Sequence, residues 1–430
     1  MPHLKPFRGI RYRQQAGEPA ALMAPPYDVI SPAEHLALCQ RSPYNVVHLT
    51  LGERRSAHER MPPDWYDAAG ARLGSWLGEG ILAVDDRPAF YLYTETFDYE
   101  GRRCRRKLLV GALKLEPYEA GRILPHETTM PGPKADRLRL MHTCPANLSP
   151  ILTFFPDPGG RVNESMESLL GAQPLVAFAD EAGFEHQLHA VVEPKAQEAL
   201  GQALDPLPLY IADGHHRYET ALAYQHRQSP LPGERISALP CDFVLAACMS
   251  GADPGMVIRA THRMVAWEGG PSADEVLRTA STWFDIAPVD SRGAEQALGG
   301  ESGTSACQFV VYGGPATGTV MLTLRDQAAM ADSPYPLSSP MASLPAAVFR
   351  HGLIGRALGP TSPKIWYTSD ASQAMLAVDD GAARLAGLLP AVRPPELMRV
   401  VDTGERMPPK STYFWPKPLT GMVLRSLDRF

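Results

Sequence analysis

The segment with the most chemical content is Ile211-Ala-Asp-Gly-His-His-Arg-Tyr218, in which an apolar run from Leu207 to Ala212 ends at a carboxylate and a glycine. Two imidazoles and a guanidinium follow. The apolar run reads as a short buried strand and Gly214 as a sharp turn; His215 to His226 reads as a helix with Tyr218, Ala221, Leu222 and Tyr224 on its apolar face. A helix start attracts phosphate or carboxylate through its outward amides, and Arg217 adds a fork of donors. Gly214, His215 and Arg217 are therefore the candidate phosphate-binding residues. Asp213 and His216 are candidates for catalysis, since an imidazole transfers protons near neutral pH.

A second cluster is Pro125-His-Glu-Thr-Thr-Met-Pro-Gly-Pro-Lys-Ala-Asp-Arg137, which reads as a loop constrained by proline and glycine. Glu127 is placed to serve as a general base or a metal ligand, and Lys134 and Arg137 to neutralise phosphate. His126 and Thr129 are further candidates. The segment is not a zinc-binding His-Glu-x-x-His motif, because Met130 stands at the second histidine position. Thr261-His-Arg263 offers His262 and Arg263, and Pro25-Pro-Tyr-Asp-Val-Ile30 sets Tyr27 beside Asp28 in a rigid turn. Near the end, Gly404 to Lys410 imitates a phosphate-binding loop, but Pro409 replaces its second glycine and no helix pattern follows. Lys410, Ser411 and Thr412 remain candidate anion contacts.

These residues need a scaffold, and the composition bounds it. A chain of 430 residues exceeds one core, so several packed units are expected. Lysine and arginine number 41 against 47 acidic residues, a net charge of -6, which disfavours a nucleic-acid binder. The six cysteines form no Cys-x-x-Cys pair and read as reduced thiols of a cytoplasmic protein. No apolar stretch approaches membrane-spanning length, so no membrane partner is expected.

Ser31-Pro-Ala-Glu34 reads as a helix start with a capping box, running to about Cys39. Asp64 to Leu77 has helical spacing. Ala89 to Phe97 and Lys107 to Leu115 form a hairpin signal around Glu100-Gly101. Beyond residue 265 the pattern predicts helices at Ala273 to Phe284, Ala346 to Leu358 and Gln373 to Leu388. Strands are predicted at Gln308 to Tyr312, Thr319 to Leu324, Ile365 to Thr368 and Met398 to Val401. Ser333 to Pro345 reads as a loop. Three segments follow: 1–85, helical and turn-rich; 86–265, the core with the Asp213 turn; and 266–430, a C-terminal α+β domain.

Taken together, Pro25-Pro-Tyr-Asp-Val-Ile30, Tyr44-Asn-Val-Val-His-Leu49, His126-Glu127, Thr129, Ile211 to Ala221, Thr261-His-Arg263 and Met407 to Phe414 closely resemble the prokaryotic family known as domain of unknown function 1015. The Asp213 to Arg217 turn also resembles that of the wider superfamily of ParB, sulfiredoxin and free serine kinases. That resemblance implies an α+β (mixed α/β) fold with a ParB/sulfiredoxin-like core. It also implies a turn that binds nucleotide phosphate, such as ATP or ADP, beside Mg²⁺.

The expected function is phosphoryl transfer to or from a small hydroxylated metabolite such as serine or phosphoserine, as kinase or phosphatase. A metal-dependent hydrolase using Asp213, His215, His216 and Glu127 is the competing enzyme reading, with Asp213 and Glu127 as metal candidates. A non-catalytic nucleotide or metabolite sensor is the competing binding reading.

Overall fold

In the computed structural model, residues 4–56, 62–171, 173–228, 239–299, 307–332, 335–359 and 361–428 are described. The chain divides into two compact units. The first comprises Met1–Pro125, Thr129–Met256 and Pro416–Phe430; the second comprises His126–Thr128 and Val257–Trp415. The expected segment 1–85 lies in the first unit, whereas 86–265 gives residues 126–128 and 257–265 to the second unit and 266–430 returns residues 416–430 to the first.

The first unit is built on a mixed nine-stranded sheet. Its strands in chain order are β1 (Leu4–Lys5), β2 (Phe90–Tyr99), β3 (Arg102–Lys114), β4 (Ile123–Leu124), β5 (Ile151–Phe155), β6 (Val176–Ala179), β7 (Glu185–Val191), β8 (Leu209–Asp213) and β9 (Phe243–Ser250). They lie in the order β4-β8-β5-β9-β3-β2-β7-β6, with β1 paired to β3. The β2–β3 hairpin forms where the sequence predicts it, and Glu100 and Gly101 both take positive φ at its turn. Phe90, Leu92, Leu109 and Leu113 point into the main core with Ile151, Ile211 and Val244. Tyr91 and Tyr93 on the opposite face are also buried, so β2 is covered on both sides.

Helices α1 (Pro32–Arg41), α2 (Trp65–Gly78), α3 (Pro131–Thr143) and α4 (His215–Gln228) belong to this unit. Ser31 and Glu34 complete the predicted capping box at α1. The segment expected to be a loop through Arg137 turns helical at Pro131, because proline at the first helical position costs no hydrogen bond and presets φ. Lys134 and Arg137 therefore stand on α3.

The second unit contains a six-stranded sheet of β10 (His262–Ala266), β11 (Phe284–Pro288), β12 (Gln308–Tyr312), β13 (Thr319–Leu324), β14 (Lys364–Thr368) and β15 (Leu385–Leu388), ordered β11-β13-β12-β15-β10-β14. Three expectations are corrected. The helix from Ala273 ends at Ala280 and Phe284 opens a strand, and the helix from Ala371 ends at Asp379. Gly381, at φ 74°, lets the chain turn into β15. Pro394–Val401 is a helix, where a strand at Met398 to Val401 was expected, because Pro394-Pro395 and Glu396 start one.

A π-helix at Val348–Gly355 interrupts the predicted Ala346 to Leu358 helix. Ser339–Ala342 is a short helical turn inside the expected loop, whose Ser333 and Pro334 lie outside the described residues. Among the described residues, no helix is long and apolar enough to cross a membrane.

Candidate functional site

Strand β8 delivers Asp213 to the turn. Its pairing with β5 shifts register between Ile211 and Asp213, and Gly214 follows at φ 91°, a conformation that favours glycine. Helix α4 then starts at His215, with the Tyr218 amide donating to Gly214 O at 3.0 Å. The Arg217 guanidinium folds back over Gly214, so that a Cβ there would stand 3.1 Å from Cζ and Nε of Arg217.

Arg217 Nη1 donates to Ser149 Oγ at 2.7 Å and to Pro150 O, and Nη2 donates to Asp213 Oδ2 at 2.5 Å. Lys417 meets the other oxygen of Asp213, with Nζ 2.6 Å from Oδ1, and also lies 3.0 Å from Asp28 Oδ2. Charges thus alternate along Arg217, Asp213, Lys417 and Asp28. Burial alone would lower the Lys417 pKa, but Asp213 and Asp28 outweigh it, so the ammonium is held well above its ordinary value. Arg217 and Lys417 thus hold Asp213 from its two sides.

Tyr27 and Arg137 continue the same site. The Arg137 guanidinium sits 4.2 Å from the Tyr27 ring centroid, donates to Thr50 O at 2.6 Å and pairs with Asp136 at 2.5 Å. Burial raises the Tyr27 pKa against the opposing pull of Arg137 and Arg217. A cavity of about 60 Å³ opens here, lined by Tyr27, Thr50, Arg137 and Arg217 and floored by Leu140, Leu148 and Val244.

A polar group joins α3 to α4. Thr129 Oγ1 donates to Glu219 Oε2 at 2.6 Å, and Lys134 Nζ lies 2.8 Å from the same oxygen. The Met130 amide donates to His216 Nε2 at 2.9 Å, which engages the lone pair that a base at that nitrogen would need. His215 is buried.

The remaining candidates gather in the second unit. Glu127 Oε1 accepts the Lys410 amide at 3.0 Å, and Lys410 holds a positive φ of 57°. Arg263 Nη2 reaches Lys410 O at 3.5 Å, and its Nη1 donates to Thr261 O at 2.7 Å. His126 Nε2 lies 2.7 Å from Thr412 Oγ1, and Ser411 Oγ donates to Pro408 O at 2.6 Å. His262 is buried, and its Nδ1 accepts the Leu389 amide at 3.2 Å.

The sequence candidates thus fall into two sets. Tyr27, Asp28, Arg137, Asp213, Gly214 and Arg217 come together in the first unit. Lys134 and Thr129 meet around Glu219, which sequence reasoning missed although it stands two residues beyond Arg217. Lys417 and Ser149 were also missed. The one sequence signal for Lys417 is a lysine held between Pro416 and Pro418.

Buried thiols are poor nucleophiles here, since burial pushes Cys144, Cys248 and Cys307 up to about 12. The Mg²⁺ implied by the resemblance finds no resident donor set. Arg217 and Lys417 occupy both oxygens of Asp213, and among the described residues no three His, Cys, Asp or Glu side chains gather to hold a metal ion.

Fold and site together define a mixed α/β protein whose first unit carries an alternating row of charges at a strand-to-helix turn. The chain belongs to the family described as Protein of unknown function (DUF1015), whose model matches residues 4–346. Lys417 lies beyond the matched span. No curated protein matches the sequence.

Among solved structures, the chain is similar to a conserved hypothetical protein from Pyrococcus furiosus, at 13% identity and TM-score 0.35, covering 74% of this chain and 95% of that one. It is also similar to a free serine kinase in complex with AMP, at 12% identity and TM-score 0.33, covering 71% and 86%. A third is SbnI with C-terminal truncation from Staphylococcus aureus, at 11% identity and TM-score 0.36, covering 74% and 87%.

Proposed function

We propose that the first unit binds a small phosphorylated or phosphate-accepting metabolite at the Asp213 turn, and that the protein transfers a phosphoryl group to or from its hydroxyl. The observation that carries this reading is the row Arg217, Asp213, Lys417 and Asp28 at the turn that starts α4. Because two cations face two carboxylates, recognition here rests on directed donors more than on net potential. A row of alternating charge also suits a zwitterion: Arg217 meets its anionic end and Asp28 its ammonium, which favours an amino acid such as serine or phosphoserine. The cavity walled by Leu140, Leu148 and Val244 is small and fits a short carbon chain.

In this reading Asp213 holds the two cations in line, Arg217 and Lys417 stabilise charge on the phosphoryl oxygens, and Tyr27 borders the substrate. ATP or ADP is the proposed phosphate partner. Lys134, next to Glu219, is an outer contact.

A second reading is favoured by one observation. Both sequence-predicted bases are engaged with backbone amides, His216 with Met130 and Glu127 with Lys410. A metabolite sensor with the same turn and no turnover would look this way.

A thermal-shift series with ATP, ADP, pyrophosphate, serine and phosphoserine, with and without Mg²⁺, separates the outcomes. At a ligand concentration about 100 times Kd, binding stabilises the native protein by about 2.7 kcal/mol. A shift from a phosphorylated compound that vanishes in Arg217→Ala supports the site. Turnover in coupled assays then selects enzyme over sensor, and no shift with any phosphate compound ends the proposal.

A further inference from the structure

Lys417 stands in the closing segment at a point where neither neighbour, Pro416 or Pro418, offers an amide donor. What holds the carbonyl just before Lys417 is a charge pair inside the sheet. Glu95 on β2 and Arg106 on β3 stand directly opposite one another, and neither side chain has any exposed surface. Arg106 Nε donates to Glu95 Oε2 at 2.9 Å, and Nη2 donates both to Glu95 and, at 2.6 Å, to the carbonyl of Pro416. Tyr93 supports the carboxylate, donating to Glu95 Oε1 at 3.2 Å.

A buried ion pair is weak evidence for stability. Taking two ions out of water costs several kcal/mol each, and apolar residues of similar volume are often as stable or more so. Arg106 Nη1 adds to the cost, because it is buried and has no hydrogen-bond partner among the described residues. What the pair provides is a rigid donor at the peptide plane joining Pro416 to Lys417. With that plane fixed, and with Pro418 restricting the backbone of the residue before it, the direction of the Lys417 side chain is set. Further along the same segment, Thr420 is anchored by its backbone to Ala24 and by its Oγ1 to Ser149 at 3.1 Å.

We propose that the buried Glu95–Arg106 pair is a positioning device that holds Lys417 between Asp213 and Asp28. Its functional meaning rests on the reading of that turn as an anion site, but the positioning itself is tested without a ligand. The probe is acetylation of Lys417 by acetic anhydride, read by mass spectrometry in the full-length protein. The variant is the double substitution Glu95→Leu with Arg106→Met.

The expected result is a melting temperature at or above that of the wild type, together with Lys417 labelling roughly tenfold faster or more, because the ammonium is released from its two carboxylates. Unchanged labelling in a folded double variant overturns the proposal. Where the double variant fails to fold, Arg106→Lys serves: it keeps a cation for Glu95 but cannot also reach Pro416, and the same rise or its absence decides.

Pyrophosphate titration then tests the link to function. A Kd about tenfold weaker in the positioning variant and in Lys417→Met joins the clamp to the site. If the wild type binds no pyrophosphate while labelling rises, the clamp stands and the phosphate reading falls.

Discussion

A methyl group added to Gly214 would stand 3.1 Å from Cζ and Nε of Arg217, on a backbone already at φ 91°. The two demands are independent, and Gly214→Ala violates both. The left-handed backbone alone costs roughly 1–2 kcal/mol, and displacing the guanidinium loosens its hold on Asp213. Gly214→Ala is therefore expected to lose about 2 kcal/mol or more in urea unfolding. An unchanged midpoint would mean that the turn relaxes into another conformation.

Arg217 was legible in the sequence because strand, glycine and helix signals surround it and name its place. Lys417 was not, since the strand-to-helix pattern around Asp213 carries no trace of a cation arriving from the other end of the chain. Glu127 and His216 were legible as chemistry but not as geometry. Sequence gives their functional groups, whereas only the fold shows that amides of Lys410 and Met130 engage them.

Elements announced themselves where a local device bounds them. Ser31 caps α1, and Ser31→Ala should cost about 1 kcal/mol, measurable as a lower urea midpoint at constant slope. The β2–β3 hairpin follows from its turn residues. The segments that misled are those where two signals compete: Met398 to Val401 has strand-like residues, yet a Pro-Pro-Glu start upstream commits it to a helix.

Strand β10 adds a property that no pattern reveals. Burial and the neighbouring Arg263 lower the His262 pKa to about 4, with Arg259 adding to this and Asp370 opposing it. The neutral ring accepts the Leu389 amide, and protonation at Nδ1 would break that bond. Because the folded value lies below the unfolded one of about 6.5, the unfolded chain binds the proton first, so stability falls with pH between about 6.5 and 4. The loss from this group approaches roughly 3 kcal/mol. Hydrogen exchange of β10 and β15 measured at about pH 7 and about pH 4.5, on either side of most of that window, should show the difference, and His262→Gln should flatten it. A pH-independent exchange pattern in the wild type would refute the assignment.

At the scale of the molecule, the first unit is not continuous in sequence: the chain leaves it at Met256 and re-enters at Pro416. The returning segment brings more than Lys417. Arg425 is buried, and its guanidinium serves Asn147 Oδ1, Phe243 O and Pro240 O at 3.1, 2.9 and 2.6 Å. Burial holds its pKa down to about 10. Ending the chain after Trp415 strips those three acceptors of their partner, removes the Arg425–Ser426 pairing with Ala146–Asn147, and leaves Asp213 without its lysine.

At roughly 1–3 kcal/mol for each buried group left unsatisfied, the truncated first unit should lose about 5 kcal/mol. For a unit of this size that is a fall of roughly 10–20 °C in its calorimetric transition. The second unit keeps its own core of Met264, Val310, Ala386 and Leu388, so its transition should move far less. A truncated protein whose transitions both stay in place would show that the closing segment is peripheral, and Lys417 could then not be part of the site.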